Sequence, residues 1–145
     1  MPTTGVTFLG SVRIKAIAVG LAIAVIGGAA YGVVVSLLIY WLGGWASGRP
    51  MQELVALRGG PLLTALSLIG VAALNGVAGY VTARMSAPRH LAEPLIVGLV
   101  LVVGDVIGLI VKPGAGALWV SVLLLVLIVP TILVGALIGW GRAHN

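Results

Sequence analysis

No charged residue interrupts the chain between Lys15 and Arg49, between Arg58 and Arg84, or between Lys112 and Arg142, and Asp105 alone breaks the stretch from Glu93 to Lys112. Apolar runs of this length match the roughly 20 residues that a helix needs to cross a hydrocarbon layer about 30 Å thick. Backbone N–H and C=O groups in hydrocarbon must find their partners within the segment, so each run reads as a transmembrane helix. The pattern predicts an all-α fold, an integral membrane four-helix bundle. Its spans lie at about 14–42, 61–84, 94–111 and 117–140 of a single membrane domain covering 1–145. Only 8% of residues are charged, where soluble domains carry about 25%; a soluble globular fold is excluded on that ground.

Arg13 and Lys15 precede the first run as they would in a secretory leader. The run far exceeds the roughly 7–15 residues of a leader's apolar region, and no A-x-A pattern closes it, so it reads as an uncleaved signal anchor. Small residues recur along it at Ala16, Gly20, Ala24, Gly28, Gly32 and Ser36. At every fourth position they form one helix stripe that lets a neighbouring backbone approach closely. This stripe makes helix one the expected packing spine. Further small-residue pairs, Gly104 with Gly108 and Gly135 with Gly139, offer the same kind of surface on helices three and four, either inside the bundle or toward another chain.

Orientation follows from the cations. Arg13, Lys15, Arg84, Arg89 and Arg142 fall on one side of the four spans, and Arg49, Arg58 and Lys112 on the other. The excess predicts that both termini face the cytoplasm. Between the first two spans, Pro50 to Arg58 carries Pro at a helix start, Glu53 in the first turn and Gly59-Gly60 as a stop; it predicts a short amphipathic helix lying on the membrane surface. The net charge of +5, dispersed over connections with no basic aromatic stripe, points to anionic headgroups as partners and away from nucleic acid.

The stretch Gly76-Val77-Ala78-Gly79-Tyr80 with Arg84 echoes Gly135 to Trp140 with Arg142. A duplicated hairpin produces such an echo, and so does independent anchoring of two helix ends at the same interface. The run from Gly76 to Ala83-Arg84 also resembles the "G-x-x-x-x-A-R" helix end of several groups of small bacterial four-helix membrane proteins of uncharacterised function. That resemblance implies a multi-pass protein of a bacterial inner membrane and no particular activity. The chain does not resemble the small multidrug transporters, whose first helix carries a substrate-binding Glu.

Asp105 is the one carboxylate within a run. An acid near a helix centre costs about 2.5–3.5 kcal/mol on insertion scales and therefore needs partners or water. Counted by depth, it is level with Tyr31 and near Asn75, which makes these three a candidate proton or cation site. The alternative is a neutral acid whose hydrogen bond to Tyr31 or Asn75 joins helices. Pro130 with Thr131 predicts a break in helix four, because proline removes one backbone donor. No Cys is present, the two His stand apart, and no paired acids or nucleophile-base set is visible; no metal, no cofactor and no enzymatic activity are expected. Two functions remain: helix association, as a homo-oligomer or an accessory subunit of a membrane complex, and proton- or cation-coupled transport.

Overall fold

The computed structural model describes residues 13–41, 61–86, 91–111 and 118–141. It contains four α-helices, α1 (Ile14–Ile39), α2 (Pro61–Met85), α3 (Ala92–Val111) and α4 (Leu118–Gly141), each long and apolar enough to cross a membrane. At 20 to 26 residues they measure about 30–39 Å by the 1.5 Å rise of a helix. The surface helix expected over Pro50 to Arg58, and most of the cations that orient the chain, lie outside the described residues.

Around the bundle the helices stand in the order α1, α2, α4, α3. Successive helices therefore form two antiparallel hairpins, and the hairpins meet along α2 and α4. Contacts between Gly76 and Gly135 and, one turn on, between Tyr80 and Gly139 advance together along both helices, so α2 and α4 run parallel. Their backbones touch. A Cβ on Gly135 would fall on the carbonyl of Gly76, one on Gly79 would fall on that of Ile132, and one on Gly139 would lie 2.9 Å from the Tyr80 oxygen. The two echoing segments of the sequence thus pack on each other.

The small-residue stripe of α1 is divided. Ala16, Gly20 and Ala24 are buried, while a side chain at Gly28 or Gly32 would meet nothing within 4 Å. The closest crossing belongs to α2 and α4, not to α1, because backbone contact needs small residues on both partners. Opposite α1 stand larger groups: the Thr82 hydroxyl fills the notch at Gly20, and Leu74 lies 3.0 Å from a Cβ at Gly27. In the reverse sense, the Tyr31 ring of α1 occupies the notch of Gly70 on α2. The apolar centre is Val97, Ile128 and Ile132, flanked by Ile17, Leu21, Leu101, Val102 and Leu125.

Helix α4 runs from Leu118 to Gly141 with Pro130 inside it. Proline there deprives the Val126 carbonyl of its donor. The Thr131 hydroxyl turns back to donate to Leu127 O at 2.7 Å and Ile128 O at 2.9 Å, which pairs its own proton within the helix and leaves the Val126 carbonyl as it was.

Candidate functional site

The buried polar side chains among the described residues are Asn75 (6% exposed), Thr82 (0%), Ser86 (8%) and Glu93 (0%). Asn75 and Thr82 share one stripe of α2, which Ser86 continues one residue past the helix end; the mean hydropathy of α2, 1.6, is the lowest of the four candidate spans. Thr82 and Ser86 each donate one turn back, to Ala78 O and Thr82 O, both at 2.7 Å. Such back-bonding lets a hydroxyl enter an apolar interior without leaving its proton unpaired.

Glu93 belongs to α3. Its neighbour one turn on, Val97, meets Thr82 across the notch at Gly20, so Glu93 and Ser86 form the next layer toward the Arg13 end. The Arg13 backbone N–H donates to Glu93 Oε1 at 3.4 Å, and the Arg13 guanidinium donates to Met85 O at 3.1 Å. Arg13 thereby ties the start of α1 to the end of α2 and the start of α3. Among the described residues, Glu93 Oε2 is buried with no hydrogen-bond partner, as is Trp140 Nε1.

The third span is expected at 94–111, which puts Glu93 outside it. The helix begins two residues earlier, at Ala92. Proline is tolerated in a first turn, where its missing N–H has no helical acceptor, and a carboxylate there is favoured by the helix dipole. An acid immediately before a proline at the head of an apolar run was the available signal.

Asp105, Asn75 and Tyr31 are not joined by hydrogen bonds. The Tyr31 hydroxyl donates to Leu66 O at 2.7 Å, holding α1 to α2, and Asn75 sits in the buried stripe of α2. Asp105 lies on a bare length of α3 where every residue from Val103 to Gly108 is exposed. Side chains added at Gly104 or Gly108 would meet nothing within 4 Å. Ser36 donates to Gly32 O at 2.7 Å. Of the small residues singled out in the sequence, Gly20, Gly135 and Gly139 pack within the chain, and Gly28, Gly32, Gly104 and Gly108 face outward.

Among the described residues no three His, Asp or Glu side chains converge as metal ligands would. No protein-family model matches the chain, and neither does any curated protein or solved structure.

Proposed function

We propose that the chain is a multi-pass protein of a bacterial inner membrane, with both termini in the cytoplasm, which works without catalysis through helix association. It assembles as a homo-oligomer or joins a larger membrane complex. The observation that carries this reading is the bare stretch of α3 with Gly104, Asp105 and Gly108. A carboxylate facing hydrocarbon is costly, and glycines on either side let another helix come close enough to cover it. The outward Gly28 and Gly32 of α1 offer a second surface of the same kind. The test is the mass of the purified protein in mild detergent, wild type beside Asp105→Ala and Gly104→Leu. An oligomer that falls to monomer in both variants with helical content unchanged supports the reading. A wild-type monomer both in detergent and after cross-linking in native membranes ends it.

A second reading, proton- or cation-coupled transport, draws support from the buried polar stripe and the unpartnered Glu93 oxygen, with Glu93 in place of Asp105 as the ionisable group. Flux into liposomes that survives Asp105→Asn and is lost in Glu93→Gln would favour it. Liposomes as tight as empty ones would sink it.

A further inference from the structure

Along the seam of α2 and α4 runs an open groove of about 410 Å³. Its floor is the glycine crossing at Gly76 and Gly135, and its walls are apolar: Ala72 and Ala73 on one side, Pro130 and Val134 on the other. Thr131 also lines it, but its hydroxyl is turned back onto Leu127 and Ile128. The polar feature at the rim is Tyr80. Beyond it stands the exposed Arg84, whose guanidinium carbon is 5.7 Å from the Tyr80 ring centroid and whose Nη1 donates to the Tyr80 hydroxyl at 3.2 Å.

From Ala72 to Arg84 the helix advances about 18 Å at 1.5 Å per residue, close to the roughly 15 Å of hydrocarbon in one leaflet. The groove and the cation beyond it together span the depth of one leaflet, so an acyl chain lying in the groove has its headgroup level with the cation. Among the described residues the Arg84 guanidinium has Tyr80 as its hydrogen-bond partner, which fixes it and leaves its other donors for a phosphate. We propose that this groove is a binding site for an anionic phospholipid, one acyl chain lying over Gly76 and Gly135 and the phosphate held by Arg84. The site rests on the reading that the chain spans a membrane. The excess of cations at the Arg84 end places it in the cytoplasmic leaflet, where anionic headgroups gather around basic residues.

The test uses the full chain in nanodiscs of mixed phosphatidylglycerol and phosphatidylcholine, with native mass spectrometry counting the lipids that stay on after release from the disc. About one phosphatidylglycerol per chain is expected, in preference to phosphatidylcholine. Arg84→Gln should cut that preference about fivefold, as the loss of one surface cation does. Ala73→Phe, at an exposed groove position, should expel lipid of both classes while circular dichroism shows the helices intact. Equal retention of the two lipids by wild type, or a preference that survives both substitutions, overturns the proposal. So does a disulfide between chains carrying Ala73→Cys, which would give the groove to a second copy. Alkaline carbonate separates the two failures: a chain that washes off membranes was never spanning them, whereas one that stays without lipid preference loses only the groove.

Discussion

Gly79 and Ile132 bring the backbones of α2 and α4 into direct contact, with the Ile132 carbonyl oxygen occupying the place a Cβ on Gly79 would take. The obstacle is main chain, which cannot rotate aside. Gly79→Val should therefore destabilise the bundle toward the upper end of the 1–3 kcal/mol typical of overpacking, read as thermal unfolding in detergent. Gly28→Ala and Gly32→Ala should change the fold by less than about 0.5 kcal/mol, as surface substitutions do. Equal losses at Gly79 and Gly28 would mean that the α2–α4 crossing is not the close one.

Tyr31 and Gly70 form a ring-in-notch joint between α1 and α2, closed by the hydrogen bond to Leu66 O. Tyr31→Phe removes only that bond and should cost about 0.6–1.7 kcal/mol, the range for polar contacts between membrane helices. Gly70→Val displaces the ring and should cost more. The order of the two unfolding temperatures checks the joint; Tyr31→Phe falling below Gly70→Val would argue against it.

Among the described residues, Glu93 has one oxygen paired and one buried without a donor. In Glu93→Gln the amide oxygen can still accept from the Arg13 N–H, and the uncharged head suits a dry position better, so stability should equal or exceed wild type. Glu93→Ala removes the acceptor and leaves a cavity, for an expected loss of about 2–4 kcal/mol. Chemical denaturation of the three proteins side by side decides it, and a Gln variant as weak as Ala would show that the carboxylate charge itself is held.

At Pro130, restoring a backbone donor should help. Pro130→Ala returns a hydrogen bond to the Val126 carbonyl and should raise the unfolding temperature, while Thr131→Val, which loses the bonds to Leu127 and Ile128, should lower stability by about 0.5–1.5 kcal/mol. Opposite signs are the expected result. A fall in both variants would mean that the proline packs more than it disrupts.

The four helices were legible because length and the absence of charge are enough to mark them, and their ends were placed within a few residues: 61–84 was expected where α2 ends at Met85, and 94–111 where α3 begins at Ala92. Which face of each helix meets which neighbour was not legible. In a water-soluble bundle a polar face tells the inside from the outside; here both sides of each helix are apolar, so Gly20 and Gly28 look alike in sequence although one is filled by Thr82 and the other meets nothing. Depth along a span could be counted, and it set Asp105 level with Tyr31. Rotation about the helix axis could not, and rotation decides that Tyr31 turns to Leu66 while Asp105 faces outward. Glu93 falls outside the expected 94–111 because a charged residue marks the edge of an apolar run, whereas the helix takes it into its first turn with Pro94.

The parallel seam of α2 and α4 also bears on how the molecule is made. About 60 residues of chain separate Gly76 from Gly135, and at 5–20 residues per second of synthesis the first of these surfaces waits roughly 3–12 s for the second. In a chain that spans the membrane as proposed, the earlier hairpin waits through that interval with its glycines uncovered. The tightest joint thus forms only once α4 has been made, and a chain cut short before α4 lacks the glycine seam between α2 and α4.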